Sequence, residues 1–440
     1  MLAASPLQRA FSVWWKDVDR WSVGSLRTAS WQWPPAVIKK LSVALERRCE
    51  RVEKTKFALC PQHFISLRFT GEIEQRELHG KEDFKGALFF AHAGDIVYSK
   101  IDARNGAIGI VPETIPVATV TSEFPVYRIR KDVALPEFIQ LVFQTEHFKK
   151  IINSMVSGAS GRKRVQPEEL EQVRIPLPPL SDQAHIIGRW RKAQEPVEQA
   201  RSALKAVFDK LDTALYADTD FGALEAPRLT LQWKDFAQWD VKSARVAAFK
   251  LSNPSFVPLS QFAEEATEVV KPWLKPEKEW PVYGVNNKEG VFFSHFQKGA
   301  EFNSPYKRIR KDWFFHNPTR SSVGSLGIVP KVPDDAITSP EYQVWRMRSS
   351  SEWTPGFMAA LVRTTWFVKL IQVHRVGAVK QRLYVENLLS MPMPVVPSSI
   401  RETVATECLV ALQKLVDAKQ SIDSAKIEIE ALILGTRSLK

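Results

Sequence analysis

The sequence predicts an α+β protein built from two tandem copies of one domain, separated by two long helices that pair as an antiparallel coiled coil. Three observations lead there. Between Ser181 and Leu215 the residues Ile186, Trp190, Ala193, Val197, Ala200, Leu204, Val207 and Leu211 recur at alternating steps of four and three, which is a heptad seam. Between Ser399 and Ile433 the same steps recur in the same phase at Val404, Cys408, Ala411, Leu415, Ala418, Ile422, Ala425 and Ile429. Each residue of the second seam lies 218 positions after its counterpart in the first, as Val404 does after Ile186.

Either run would make a helix about 50 Å long. A narrow apolar stripe of that length cannot stay in water, and the best-matched partner for each helix is the other. Both runs open alike, Pro179 then Ser181 and Pro397 then Ser399, so each serine is expected to cap its helix, with Glu402 completing a capping box. Pro196 lies inside the first run and should kink it or remove one hydrogen bond.

The duplication extends beyond the helices. Trp15-Lys16-Asp17 returns as Trp233-Lys234-Asp235, and Gly106-Ala107-Ile108-Gly109-Ile110-Val111-Pro112 as Gly324-Ser325-Leu326-Gly327-Ile328-Val329-Pro330. Val126-Tyr127-Arg128 returns as Val344-Trp345-Arg346, and Pro176 and Pro179 as Pro394 and Pro397. Between these blocks the register is read as drifting by one, Gly94-Asp95-Ile96-Val97 against Lys311-Asp312-Trp313-Phe314 and Thr121-Ser122 against Thr338-Ser339.

Each half follows one plan. Strand-like pieces at 95–100, 107–111, 118–121 and 126–130 are followed by an apolar helical stretch, 135–155 in the first half and 355–373 in the second. A glycine-containing basic turn, a short segment, the proline pair and the seam helix complete it. Residues 218–227 read as a linker, and 1–14 as loosely held. The halves differ most at Thr55–Phe90 against Trp273–Tyr306, and only the second carries Lys307-Arg308-Ile309-Arg310-Lys311.

Composition bounds the rest. The 440 residues are 44% hydrophobic and 25% charged, with a net charge of +12 that favours a polyanionic partner. No apolar run approaches a membrane span, and no secretory signal is visible, so no membrane is expected. Cys49, Cys60 and Cys408 are too scattered for a disulfide framework or a zinc site, which fits a reducing cytoplasm. Catalytic chemistry finds no anchor. Asn317-Pro318-Thr319-Arg320 resembles the amine-holding motif of amino-methylating DNA methyltransferases, but its second proline and aromatic are missing, and a turn is expected instead. There is no phosphate loop, no S-adenosylmethionine loop and no histidine cluster at metal-ligand spacing, so neither cofactor nor metal is expected.

Contact chemistry is present. Ser157-Gly158-Ala159-Ser160-Gly161-Arg162-Lys163-Arg164 places three cations on a glycine-bearing turn, and Gly377-Ala378-Val379-Lys380-Gln381-Arg382 is its counterpart. Guanidinium groups and free backbone amides suit phosphate oxygens. Lys100, Arg104 and Asn105 end a strand-like piece, and Asn317, Thr319, Arg320, Ser321 and Ser322 answer them with side chains able to meet base edges. Ser122, Lys307, Arg308 and Arg310 complete the candidate DNA-binding set.

These residues carry a resemblance. The segments GDIVYSKIDARNGAIGIVPE, VTSEFPVYRI and SGASGRKRVQPEELEQVRIPLPPLSDQ resemble the target-recognition domains of the DNA-specificity subunit of type I restriction–modification enzymes, and the likeness runs from about Trp15 to Leu434. The second half departs from the pattern at Val379, Gln381 and Met393-Pro394-Val395-Val396-Pro397, which weakens residue carry-over there. The resemblance implies target-recognition domains at 1–180 and 218–397 and spacer helices at 181–217 and 398–436. It implies double-stranded DNA as ligand, read as a split, asymmetric site. It also implies partnership with methyltransferase (modification) subunits, with restriction (translocase) subunits joining where they exist, and no catalysis in this chain. From another class, a non-catalytic cytoplasmic scaffold with two protein-binding domains on a paired-helix spacer fits the same duplication.

Overall fold

The computed structural model describes residues 31–53, 63–76, 86–155, 164–226, 228–235, 241–377 and 380–438. The chain divides into two compact units, Met1–Glu195 with Gln420–Lys440, and Pro196–Lys419.

In the first unit, β1 (Leu45–Arg48), β2 (Ile96–Tyr98), β3 (Ile108–Ile110) and β4 (Val126–Ile129) form an antiparallel sheet in the order β1-β4-β2-β3. Helix Pro136–Gln144 and α1 (Glu146–Met155) follow, broken at Thr145 where the sequence predicts one stretch. The first long helix, α2 (Leu180–Ala217), begins here. The core gathers Trp31, Tyr98, Tyr127, Phe138, Phe143 and Phe148, and it is closed by Ile186 and Ile187 from the start of α2.

The second unit repeats this plan. Its strands include β5 (Ala263–Glu265), β6 (Glu279–Asn286), β7 (Gly290–Lys298), β8 (Phe314–His316), β9 (Leu326–Ile328) and β10 (Gln343–Met347). The sheet β5-β10-β8-β9 matches its counterpart pair by pair: Ile96↔Ile110 and Ile96↔Tyr127 become Phe314↔Ile328 and Phe314↔Trp345. Every partner is shifted by 218, so the one-residue drift read from sequence does not occur at these strands. Gly94 (φ 83°) answers Asp312 (φ 66°), the single non-glycine of positive φ among the described residues. Aspartate tolerates the left-handed region through local hydrogen bonding, so this turn survives the loss of its glycine. The hairpin β6–β7 and the strands Val269–Val270, Tyr306–Arg308 and Ile337–Thr338 make a five-stranded sheet. Helix Pro355–Leu361, α3 (Thr365–His374) and the second long helix, α4 (Ser398–Leu434), complete the described plan.

The long helices pair antiparallel, as each unit shows by itself. In the first, the start of α2 meets the end of α4: Ile186 and Ile187 share a core with Ile429, Leu432 and Ile433, and Arg189 pairs with Glu428. In the second, the end of α2 meets the start of α4: Leu204, Val207, Leu211 and Leu215 share a core with Val404, Cys408 and Ala411, and Lys210 pairs with Glu407. Val197 is buried too, while Trp190, Leu415 and Ile422 are half-buried. Burial pushes the Cys408 thiol up to about 12, which leaves it an inert packing group.

The expectation of serine caps at the helix starts is corrected. Neither serine is a cap. The carbonyl of Pro179 accepts from the N–H of Asp182 and Gln183, and that of Pro397 from Ile400 and Arg401. Helices therefore begin at Leu180 and Ser398, one residue earlier, because each proline supplies the first free carbonyl and a preset φ. At Pro196 α2 is continuous, the ring lies on the exposed face, and the missing N–H removes one backbone hydrogen bond, as the sequence leads one to expect. The starts are anchored by side chains 218 positions apart. Gln183, fully buried, accepts from Leu135 N–H and donates to the Val133 and Pro178 carbonyls. Arg401 donates to the Glu352 carbonyl and pairs with its carboxylate.

Candidate nucleic-acid interface

Strands β2 and β8 each run into a tight turn before the returning strand. Ser99 N–H donates to Ala107 O, and Gly106 N–H to Ala103 O. At the equivalent positions Asn317 donates to Ser325 and Gly324 to Ser321. Gly106 (φ 94°) and Gly324 (φ 81°) supply the left-handed residue that closes each turn, which a β-carbon would strain. The residue that follows the glycine-basic turn in the sequence, sixty-five residues further on, bonds to this turn in both units. Val165 N–H donates to Lys100 O at 2.8 Å, and Leu383 N–H to Pro318 O at 3.0 Å. A buried side chain from the strand completes each contact: the Tyr98 hydroxyl donates to Val165 O at 3.2 Å, and His316 Nε2 to Leu383 O at 2.9 Å.

The candidates therefore fall into two equivalent loci. In the first unit, Lys100, Arg104 and Asn105 sit on the strand-end turn, and Lys100 N–H donates to Glu123 O. That contact brings the exposed Ser122 alongside, and Arg164 joins through its ion pair with Glu123 at 3.1 Å. Arg162 and Lys163 lie outside the described residues. In the second unit, Thr319 and Arg320 are exposed, Ser322 is half-buried, and Lys380, Gln381 and Arg382 lead directly into Leu383. The Asn317 carboxamide oxygen accepts from Thr319 N–H and Oγ1, so it shapes the turn as well as lining it.

Four candidates have other roles. Ser321 is fully buried, its hydroxyl donating to Pro318 O, and it is withdrawn from the contact set. Lys307, Arg308 and Arg310 belong to the five-stranded sheet and the turn after it. Lys307 is half-buried, and burial lowers its pKa. Arg308 donates to the Asp334 carbonyl, and Arg310 pairs with Glu268 at 2.8 Å.

Sequence reading missed the β6–β7 hairpin. Phe293, Ser294, His295 and Phe296 are four consecutive exposed residues on its outer strand, with Phe293 and Phe296 ring centroids 4.9 Å apart. Ser294, His295 and Gln297 form a chain of side-chain hydrogen bonds along it. The run VFFSHFQ was the available signal, but it reads equally as a buried strand. The hairpin tip is fixed to the strand-end turn by Arg363, whose guanidinium donates to the Asn287, Gly324 and Leu326 carbonyls.

His316 marks a chemical difference between the loci. Because Nε2 donates to a carbonyl, the neutral ring keeps its proton there, and Nδ1 has no partner among the described residues. Burial pushes His316 down to about 4, and burial does the same to His374, whose Nδ1 donates to Leu370 O. Both are neutral when folded, so their contribution is fully present above about pH 6.5 and lost as pH falls toward 4. Each accounts for on the order of 3 kcal/mol over that window. Thermal melting should fall steeply between pH 7 and 5. His316→Tyr, which copies the side chain at Tyr98, should flatten the fall, and an unchanged profile would show that His316 is not the group titrating.

No protein-family model matches the chain. It is 28% identical over 194 residues to the type I restriction enzyme EcoEI specificity subunit of Escherichia coli, covering 42% of this chain and 32% of that protein. It is 26% identical over 270 residues to the EcoAI specificity subunit of the same organism, covering 54% of this chain and 45% of that protein. The chain thus matches less than half the length of either relative. Among solved structures it is similar to the type I restriction-modification system S subunit from M. genitalium, with a TM-score of 0.42 and 13% identity over 90% of this chain and 94% of that one. Among the described residues no helix is long and apolar enough to cross a membrane, and no group of histidine, cysteine, aspartate and glutamate could hold a metal ion. In sequence, the chain is similar to the specificity subunits of type I restriction enzymes.

Proposed function

We propose that this chain is the DNA-specificity subunit of a type I restriction–modification complex. It binds double-stranded DNA at a split, asymmetric site and is itself non-catalytic. Residues 1–180 and 218–397 act as target-recognition domains, and 181–217 and 398–436 as spacer helices that dock modification subunits, joined by restriction subunits where those exist. The observation that supports this reading is the recurrence, in both units, of one locus where the backbone just after the basic turn of the sequence, at Val165 and at Leu383, bonds to a strand-end turn. Such a locus offers phosphate-binding cations beside side chains able to meet base edges. The two loci differ in side chains, Lys100, Arg104 and Asn105 against Thr319, Arg320 and Ser322, so the half-sites differ. In the second domain the β6–β7 hairpin extends the reading surface, since a two-stranded ribbon fits the major groove.

Electrophoretic mobility shift under salt titration tests this. Specific DNA binding with a steep salt dependence is expected, because phosphate neutralisation releases counterions. Replacing Arg162, Lys163 and Arg164 with alanine should weaken binding to all sequences and reduce the log–log slope by up to about three. Absence of DNA binding in the wild-type chain would favour the protein scaffold instead.

A further inference from the structure

We propose that Asp212 and Glu430 are positioning residues that set how strictly the distance between half-sites is enforced. This rests on the specificity-subunit reading above. Asp212, near the end of α2, takes the free N-terminus of α3: its carboxylate accepts from Thr365 N–H at 3.1 Å and Trp366 N–H at 2.9 Å, and from the Thr365 hydroxyl. The Thr364 hydroxyl takes the next amide, Phe367 N–H. Glu430, 218 positions later near the end of α4, meets the start of α1 in the corresponding place with a single bond. Its carboxylate accepts from His147 N–H at 3.3 Å, and the Thr145 hydroxyl accepts from Phe148 N–H. Thr145-Glu146-His147-Phe148 answers Thr364-Thr365-Trp366-Phe367 residue for residue.

The same clamp thus stands in both units, although Asp has become Glu and Trp has become His. A carboxylate is favoured there because it meets unsatisfied amides at the positive end of a helix dipole. Its bonds are also directional, which the neighbouring apolar contacts are not. Leu211 and Leu215 resist a roll of the domain on its helix through packing alone, whereas Asp212 adds directional bonds that hold one angle. A target whose half-sites stand one base pair too near or too far requires such a roll. The clamp therefore supplies part of the penalty against mis-spaced DNA, and its removal should lower that penalty by about fivefold to tenfold.

The test uses the full chain and duplexes in which the two half-sites, found by selection from random DNA, are separated by spacers stepped one base pair at a time. Asp212→Ala should bind the best spacer as wild type does, within about twofold, while its discrimination against neighbouring spacers falls about fivefold or more. Asp212→Glu should restore the discrimination, since the other clamp uses glutamate. Selected half-site bases should not change. If Asp212→Ala does not fold, Asp212→Asn, which keeps the shape but loses the charge, is read the same way. A spacer profile as sharp as wild type in a folded variant would overturn the proposal while leaving the specificity reading intact. A wild-type chain with no spacer preference would remove that reading, and the proposal with it.

Discussion

Leu204→Asp should destabilise the second unit by about 4 kcal/mol or more and, on the function proposed above, abolish docking of modification subunits. Leu204 is 6% exposed, within the core that the end of α2 shares with Val404, Cys408 and Ala411. Aspartate there forfeits about 2–5 kcal/mol of packing and adds an unpaired carboxylate in an apolar site. Such a penalty rivals the whole stability of many domains. Ile422→Asp is the contrast: Ile422 is half-buried, so its carboxylate keeps water and the loss should be far smaller. Chemical denaturation followed by circular dichroism checks both, and equal midpoints for the two variants would contradict the seam as described.

The second large effect concerns length. Removing one heptad from each long helix, Val197–Ala203 with Leu415–Ser421, keeps the apolar phase and shortens each helix by about 10 Å. With base pairs about 3.4 Å apart, the preferred spacer should contract by up to about three base pairs while the half-site sequences stay the same. Intervening bases should remain unread. Selection from random duplexes reports both quantities at once. A folded variant that keeps the original spacer would show that the helices do not set the distance.

Much of this fold was legible because the chain states it twice. The seam from Ile186 to Leu211 could be read from spacing alone, and its repetition at Val404 to Ile429 turned one amphipathic helix into a matched pair. The strand-end turns were legible for the same reason, through Gly106 and Gly324. What spacing cannot carry is which polar group meets which. Ser181 and Ser399 look like caps, but the prolines before them already offer the first carbonyl. Ser321 sits among residues that face solvent, yet it is buried, because the tight turn directs every third side chain, Pro318 and Ser321, inward. The docking of Val165 on Lys100 and of Leu383 on Pro318 joins segments sixty-five residues apart, and no local pattern announces it. No local pattern singles out Asp212, because its partners lie more than 150 residues away.

The clamps also bear on how such proteins could be shuffled. A recombinant that replaces residues 233–435 with those of another protein brings in a new α3 and a new α4 together. It leaves Asp212 facing a foreign Thr365–Trp366 turn, and the native Thr145–His147 turn facing a foreign Glu430. Two hybrid contacts, and a hybrid seam, would then have to form at once. Junctions drawn at about 241 and 397, outside both long helices, exchange the same reading surface with one hybrid contact, because α2 and α4 still come from one parent. Sequence symmetry marks the tempting place to cut, while the hydrogen bonds of Asp212 and Glu430 mark the tolerable one.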